Sequence, residues 1–248
     1  MSCRWPSADK VLLPGSQHVD VWCVELDAAQ LLIENYLGVL DEAEKGRAAR
    51  YYNEADRSKF ILRRGVLRQL LGKYLNAQPS QIQYTTNEFG KPALDQRIGS
   101  DLQFNLSTSG DTALLAFTEG RRVGVDIERE RQDFETGSIA NRFFSAAEQV
   151  SLSQLPPGQR LQGFYNCWTR KEAVIKALGQ GLSLPLDSFD VNLAPGEPAR
   201  VLAARDAAFE ALQMKLQDLE LSNGYTAALA AEGGNWKATC WQYEEMGA

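Results

Sequence analysis

The sequence at residues 124–128 is GVDIE, with Asp126 and Glu128 at alternate positions near the end of a run of strand-forming residues. Side chains on a strand alternate between its two faces, so both carboxylates project from one face. Val125 and Ile127 project from the other. Adjacent carboxylates raise each other's pKa, and a divalent cation relieves that repulsion. Oxygen ligands of this kind favour Mg²⁺, with Mn²⁺ as an alternative. The triplet by itself also fits two solvated acids that pair with nearby arginines.

A second segment, residues 168–176 (WTRKEAVIK), supplies a third acid. On a helix, Trp168, Glu172 and Lys176 are spaced four residues apart and share one face. Glu172 can therefore join the two strand carboxylates at a metal, and Lys176 can contact phosphates bound to the same metal. The alternative is a surface Glu–Lys pair, which contributes about 0.3–0.5 kcal/mol. The glycine-rich run 179–185 that follows lets the backbone approach a ligand or the other half of the chain.

Three features of the first half are candidates for phosphate binding. Residues 90–92 (GKP) place the charge of Lys91 beside the fixed backbone of Pro92. Residues 105–110 (NLSTSG) are predicted as a hydroxyl-rich turn with several donors. Residues 45–73 contain nine Lys or Arg against two acids, which indicates either a phosphate site or a solvated helical face.

Composition narrows the class of protein. The chain has 248 residues and 44% hydrophobic content, which suits one large domain or two halves. A formal net charge of −6 argues against a nucleic-acid binder. The apolar runs are too short to span a membrane. Four widely spaced cysteines without a CxxC pair predict free thiols. These features together predict a cytoplasmic protein that binds neither nucleic acid nor membrane.

Periodicity and turn residues predict an alternation of helices and strands. Capping boxes are expected at Asp41 with Glu44 and at Ser145 with Glu148. A turn at Glu119 is expected to form a hairpin with the strand that follows. The predicted helices cover 56–75 and 161–178, and the predicted strands cover 19–26, 81–86, 102–106, 113–117, 122–128, 216–221, 225–230 and 236–243.

The two halves resemble each other at an offset of 107 residues. Matching positions are Arg63 with Arg170, Leu71 with Leu178, Gly72 with Gly179, Leu75 with Leu182, and Ile82 with Phe189. This pattern favours an internal duplication. It predicts two similar α/β subdomains, residues 1–122 and 123–248, with a pseudo-twofold seam near 120–123. A ligand cleft is expected at their interface.

Taken in order, these motifs resemble the Sfp-type 4'-phosphopantetheinyl transferases. The match runs from about residue 41 to 191. The motifs that carry it are residues 90–92, 104–109 (FNLSTS), 124–128, 168–176 and 181–186 (GLSLPL), followed by Phe189. The resemblance implies an α+β fold of two subdomains with coenzyme A between them. It also implies transfer of the 4'-phosphopantetheine arm of coenzyme A to a serine of an acyl or peptidyl carrier protein.

The resemblance also implies roles for individual residues. Asp126, Glu128 and Glu172 are expected to hold Mg²⁺ together with the coenzyme A diphosphate. Glu172 is the expected general base, either directly or through a metal-bound water. The expected coenzyme A contacts are Lys91, Pro92, Ser107, Thr108 and Lys176, with Lys59 and then Arg47 as candidates in the basic segment. Carrier docking is expected on residues 129–142, through Arg129, Arg131 and Arg142. An internally duplicated chain is expected to be a monomer.

One residue departs from the family pattern, and two alternatives remain. The family usually has His where this chain has Thr108, and a Thr hydroxyl carries no positive charge. Losing a charge-assisted phosphate contact costs about 1–3 kcal/mol, so weaker coenzyme A binding is expected. One alternative is a catalytically impaired module that binds coenzyme A and carrier. The other is a metal-dependent nuclease, which the four-residue spacing of Glu172 and Lys176 and the acidic net charge disfavour.

Overall fold

The fold is a mixed α+β arrangement, as the sequence predicts. The computed structural model describes residues 5–8, 11–27, 30–133, 135–206, 209–210, 212–222 and 224–244. The helices are α1 (Gln30–Val39), α2 (Glu42–Ala48), α3 (Glu54–Leu75), α4 (Thr136–Phe143), α5 (Ala146–Gln154) and α6 (Pro157–Leu178). The strands are β1 (His18–Glu25), β2 (Tyr84–Thr86), β3 (Pro92–Leu94), β4 (Leu102–Ser109), β5 (Thr112–Glu119), β6 (Val123–Arg129), β7 (Phe189–Val191), β8 (Val201–Ala204), β9 (Lys215–Asp218), β10 (Tyr225–Ala231) and β11 (Lys237–Gln242).

Two sheets form the centre of the molecule. The first has the strand order β11-β1-β5-β4, with β11 parallel to β1 and the other pairs antiparallel. The second is antiparallel, in the order β6-β10-β9. Valines and leucines on the facing sides of the two sheets share one core, for example Val21 with Val125 and Leu229. The division at residue 122 stays a prediction, and the last strand, β11, lies in the first sheet.

The two longest helices cover the outer faces of the sheets. α3 packs Phe60, Leu67 and Leu70 into a core with Trp22 and Phe117 of the first sheet. α6 packs in the same way against the second sheet. The layers are therefore helix, sheet, sheet and helix. Side chains alternate between the two faces of each strand, so one face packs against a helix and the other against the second sheet. This alternation produces the order of the layers.

The internal repeat is visible in the two long helices, with a corrected register. α3 and α6 both have 22 residues, and they begin at Glu54 and Pro157, an offset of 103 rather than 107. Each helix ends at a residue in the left-handed conformation, Asn76 and Gly179. The predicted offset holds only beyond the helices, for Ile82 with Phe189, because the connecting loops differ by four residues. The pairings that fall on α3 are therefore wrong: Arg63 with Arg170, Leu71 with Leu178, Gly72 with Gly179, and Leu75 with Leu182.

A buried cation ties α3 to its neighbours. The Arg68 guanidinium is fully buried and donates to the carboxylates of Asp41 and Glu44, the capping-box residues of α2. It also donates to the main-chain oxygens of Pro79 and Ile82, beyond the end of α3. One side chain thereby joins the start of α2, the body of α3 and the loop that leaves it.

The second half repeats this network at α6. The Lys171 ammonium is fully buried and lies 2.8 Å from Oε1 of Glu148, the capping-box acid of α5. It donates to the main-chain oxygens of Leu186 and Phe189, each at 2.6 Å. Two halves with the same helix, capping box and cation network support the predicted duplication, and both predicted capping boxes are confirmed.

Two sequence predictions about the chain between 102 and 128 are wrong. Residues 105–109 are not a turn but the second half of β4, and the turn lies at Gly110 and Asp111. Residues 119–120 do not close a hairpin, because β5 and β6 belong to different sheets. Residues 105–109 form a strand because their polar side chains make hydrogen bonds to β6. These side chains therefore do not depend on water for hydrogen-bond partners.

Cysteine usage differs in part from the prediction. Cys167 and Cys240 are free thiols, as expected. Cys23 is disulfide-bonded, so the prediction of free thiols is wrong for that residue. Cys3, for which a free thiol was also predicted, lies outside the described residues. Among the described residues no helix is long and apolar enough to cross a membrane. The cytoplasmic location stays a prediction.

Candidate active site

The polar face of β4 holds the acidic residues of β6. The Ser107 hydroxyl donates to Oδ1 of Asp126 at 2.8 Å, and the Ser109 hydroxyl donates to Oε2 of Glu128 at 2.9 Å. Oδ1 of Asn105 accepts from the main-chain nitrogen of Val125, the residue before Asp126, at 2.9 Å. Alternation on β4 places all three side chains on one face. The first sheet therefore orients the two carboxylates of the second.

α6 adds a basic and an acidic side chain to the same place. Lys176 Nζ lies 2.6 Å from Oδ1 of Asp126 and 2.7 Å from Oγ of Ser107. Glu172, Lys176 and Trp168 line a cleft of about 310 Å³ together with the two β6 acids. The predicted shared face of Trp168, Glu172 and Lys176 is confirmed, and so is the shared face of Asp126 and Glu128.

Gly124 sets the distance between β6 and α6. A methyl group at this position would overlap the main-chain oxygen of Ala173 and the main-chain nitrogen of Ala177. It would also lie 2.9 Å from the main-chain carbon of Lys176. Only a residue without a side chain allows the helix this close to the strand. The glycine of GVDIE thus brings the α6 side chains to Asp126, two residues further along β6.

The acids share a crowded and poorly solvated site. Burial raises the pKa of Glu172 to about 7, and the negative charge of Asp126 adds to the rise, while Lys176 lowers it. Burial also raises the pKa of Glu128, again with a contribution from Asp126. Asp126 is 2% exposed, and its Oδ2 is buried with no hydrogen-bond partner among the described residues. A second cation beside these acids would relieve their repulsion and satisfy that oxygen.

The carboxylates do not form a complete metal cage in the structure. Within the described part of the chain, no group of three or more His, Cys, Asp or Glu side chains has the arrangement needed to hold a metal ion. Lys176 instead neutralises Asp126. The donor set itself, with three carboxylates and one unpartnered buried oxygen, suits a hard cation that takes further oxygens from a phosphate.

Lys91 does not line the cleft. Its ammonium donates to the main-chain oxygens of Val123 and Ala177, each at 3.0 Å. Burial lowers the Lys91 pKa to about 8, and Arg122 adds to the lowering. The neighbouring Asn87 side chain donates to the main-chain oxygen of Gly179 at 2.6 Å. The GKP loop therefore fastens the first half to β6 and α6, and Pro92 begins β3 beside it.

The two basic candidates from the first half lie in different places. Lys59 forms an ion pair with Asp111, at 2.7 Å, in a separate cleft of about 780 Å³. Arg47 is exposed, and its guanidinium lies 5.4 Å from the ring centre of Phe60. Thr108 does line the acidic cleft, and its hydroxyl oxygen accepts a hydrogen bond from Arg63 at 3.3 Å.

The chain matches two family models that together cover most of its length. Residues 122–230 match the 4'-phosphopantetheinyl transferase superfamily, and residues 29–120 match the 4'-phosphopantetheinyl transferase N-terminal family. The chain is also 35% identical to the 4'-phosphopantetheinyl transferase HetI of Nostoc sp., over 92% of this chain and 93% of HetI. The chain belongs to the 4'-phosphopantetheinyl transferase superfamily.

Further phosphopantetheinyl transferases show the same relationship over shorter spans. The chain is 32% identical to Sfp of Bacillus subtilis, over 64% of this chain and 69% of Sfp. Among solved structures it is similar to the ACPS-CoA complex of Chronobacterium ammoniagenes, with 22% identity, a TM-score of 0.35, and coverage of 46% of this chain and 96% of that chain. The family models and HetI confirm the family recognition, and the helices and sheets of the structure confirm the α+β fold class.

Sequence reasoning missed the positions that three residues take on β6, α6 and α3, the elements that contribute to the candidate site. Gly124 was read only as part of a motif, although a glycine inside a buried strand signals close approach of another backbone. Lys171 was read as part of the α6 motif, although it is fully buried. Arg63 lies in the basic segment 45–73 but is not singled out within it, and no local pattern marks it as a cleft residue.

Proposed function

We propose that this chain transfers the 4'-phosphopantetheine group of coenzyme A to a serine hydroxyl of an apo acyl or peptidyl carrier protein, releasing adenosine 3',5'-bisphosphate. Membership of the transferase superfamily makes this the first expectation. The observation that carries the proposal is the cleft in which β6 and α6 bring together Asp126, Glu128, Glu172 and Lys176. Such a transfer needs in-line positioning and relief of negative charge on phosphate.

Asp126, Glu128 and Glu172 are the residues that would hold a Mg²⁺ or Mn²⁺ ion. The unpartnered buried Oδ2 of Asp126 and the pKa values of Glu128 and Glu172, raised by burial and by the Asp126 charge, support this. A bound ion supplies positive charge that offsets the charge of the coenzyme A diphosphate. Lys176 would then be free to share its contact with Asp126 and donate to a phosphate oxygen.

Glu172 is the proposed general base. The serine oxygen forms a bond to the phosphorus that carries the pantetheine arm, and the bond from that phosphorus to the adenosine bisphosphate oxygen breaks. The serine proton passes to the Glu172 carboxylate. Glu172 lines the cleft together with Asp126 and Lys176, so a serine hydroxyl placed in the cleft would meet its carboxylate.

Ser107 and Thr108 orient the substrate in this proposal, and Lys91 acts indirectly. The Ser107 hydroxyl donates to Asp126 and accepts from Lys176, so it holds these two side chains next to each other. Lys91 was expected to contact phosphate, but two main-chain oxygens occupy its ammonium. We therefore assign Lys91 to positioning, because it fixes β6 and α6 relative to the first half.

The carrier protein is proposed to dock beside the acidic cleft. A second cleft of about 410 Å³ shares Glu128 and Trp168 with it, and Arg129, Arg131 and Tyr165 also line this cleft. Both arginines are exposed. An acidic carrier would meet their positive charge and place its serine near Glu172. The internal duplication, which already pairs two similar halves, supports the proposal that the active unit is a monomer.

Incubation with coenzyme A, Mg²⁺ and an apo carrier tests the function, with the carrier mass as the readout. We expect the mass of one phosphopantetheine group to be added by the wild type and not by Asp126→Asn or Glu172→Gln. Glu119→Gln, at the end of β5 outside the cleft, is the matched control and should react normally. Coenzyme A binding without transfer by the wild type would instead indicate the catalytically impaired module.

A further inference from the structure

Arg63 lines the same acidic cleft as Lys176. It lies on α3, and it lines the cleft together with Thr108 of β4 and the three acids. Its Nη1 donates to the Thr108 hydroxyl oxygen at 3.3 Å. A hydroxyl that accepts through its oxygen keeps its own hydrogen for another acceptor. Arg63 and Thr108 therefore present a guanidinium and a hydroxyl donor side by side.

The Arg63 guanidinium lacks the partners that other buried cations of this chain have. Its Nε is buried with no hydrogen-bond partner among the described residues. No ion pair joins it to any acid that the structure describes, whereas its neighbour Arg64 lies 3.9 Å from Oε1 of Glu44. A half-buried cation in a cleft, without an acid and with unused donors, suits an anionic ligand.

The positive charges around Arg63 also favour an anionic ligand. The ring of Phe60 lies beneath three guanidinium groups, those of Arg47, Arg63 and Arg64, at 5.4, 5.3 and 5.8 Å from its centre. Burial lowers the pKa of Arg63, and the charges of Arg64 and Arg47 add to the lowering. The protein thus keeps the charge of Arg63 at a local electrostatic cost that a bound anion would remove.

We propose that Arg63 is a coenzyme A binding residue of this chain, in which its guanidinium and the Thr108 hydroxyl together bind a phosphate group of coenzyme A. The inference rests on the proposed function and adds a residue to it. Arg63 supplies from α3 the positive charge that Thr108 cannot carry on β4. The expected penalty of Thr108 on coenzyme A affinity is then largely offset within this chain.

The test compares coenzyme A binding by calorimetry in the wild type, Arg63→Gln and Arg64→Gln. Arg63→Gln removes the charge but keeps a donor near Thr108, and we expect the dissociation constant to rise about 10-fold or more. Arg64→Gln is the matched control, since it changes the adjacent guanidinium on the same ring but not the cleft, and affinity should stay within about twofold. Arg63→Lys should recover part of the loss.

A second comparison identifies the phosphate and tests the link to Thr108. Dephospho-coenzyme A lacks the 3'-phosphate. If it shows no penalty with Arg63→Gln, Arg63 binds that phosphate, whereas an equal penalty assigns the diphosphate. Adding Thr108→His to Arg63→Gln returns a chargeable group to the cleft and should restore affinity. Wild-type affinity in Arg63→Gln, or an equal loss in Arg64→Gln, would overturn the inference. Neither result would contradict the proposed function, provided that the wild type still modifies the carrier.

Discussion

Replacing Gly124 by alanine should separate the two halves of the acidic cleft. Gly124 lies in β6, two residues before Asp126, and faces the backbone of α6. The added methyl group would overlap main-chain atoms of Ala173 and Ala177. Main-chain atoms of a helix cannot rotate aside as the end of a side chain can. The whole of α6 must therefore move away from β6.

The expected displacement follows from contact distances. The methyl group would lie 2.9 Å from the main-chain carbon of Lys176, and closer still to the two overlapped atoms. Unstrained carbon contacts need about 3.5–4.0 Å, so the helix must shift by roughly 1 Å. A misplacement of about 1 Å at a catalytic group can lower the rate about 100-fold. Overpacking of this kind also costs about 1–3 kcal/mol of unfolding free energy.

Steady-state transfer to a carrier and urea unfolding together measure both effects. We expect Gly124→Ala to lower kcat/KM about 100-fold while the far-ultraviolet circular dichroism stays that of a folded protein. Gly46→Ala, in α2, is the neutral control, because nothing lies within 4 Å of the added methyl. Gly65→Ala is the control for instability, because its methyl would meet the Tyr36 side chain at 2.5 Å, between α1 and α3.

Comparing Gly124→Ala with Gly65→Ala tests whether the position of α6 controls catalysis. If Gly65→Ala loses stability but keeps its rate, while Gly124→Ala loses both, then the position of α6 controls catalysis. A Gly124→Ala variant with kcat/KM within about threefold of wild type would refute the argument. It would show that α6 can retreat without moving Glu172 and Lys176 relative to Asp126.

Three further predictions concern the buried cations and the docking cleft. Lys171→Met should lower the unfolding free energy by about 3–5 kcal/mol, because it leaves Glu148 buried without its cation; a loss below about 1 kcal/mol in urea unfolding would contradict it. Lys91 has a folded pKa of about 8 against 10.5 when exposed. Wild type should therefore gain stability relative to Lys91→Met as pH rises through that window, and a constant difference would count against this. Arg131→Glu should raise the carrier KM without changing coenzyme A affinity, with exposed Lys237→Glu as control, and equal effects of both would contradict docking.

Much of the fold could be predicted because its signals are local. The capping boxes and the apolar spacing of α3 lie within one turn or one helix, and the structure confirms them. The segment 105–109 was misassigned because its hydroxyl and amide groups favour turns when considered alone. In the fold, Ser107 and Ser109 donate to acids on another strand, and this long-range pairing holds them in β4.

The candidate site also combines features that local sequence predicts with features that depend on long-range contacts. Periodicity alone placed Asp126 with Glu128, and Glu172 with Lys176, since each pair lies on a single element. The roles of Gly124 and Lys91 could not be predicted, because both depend on contacts between the halves. Lys91 has a motif that suggests phosphate binding, whereas in the structure its ammonium donates to two main-chain oxygens, and the phosphate contact stays a prediction.

The cations of this chain can be sorted by what already binds them. Arg68, Arg170 and Lys171 are fully buried, and each is satisfied by at least one acid and at least one main-chain oxygen, so they stabilise the fold. Lys176 is satisfied by Asp126, the acid proposed to hold the metal, so the proposed function requires this contact to change when substrate binds. Arg63 alone among these five has neither an acid nor a main-chain partner in the described residues. A buried charge without a protein partner is costly, and an enzyme tolerates it where the substrate provides the partner. The same criterion therefore separates structural cations from substrate-binding ones, and it assigns Arg63 to the substrate.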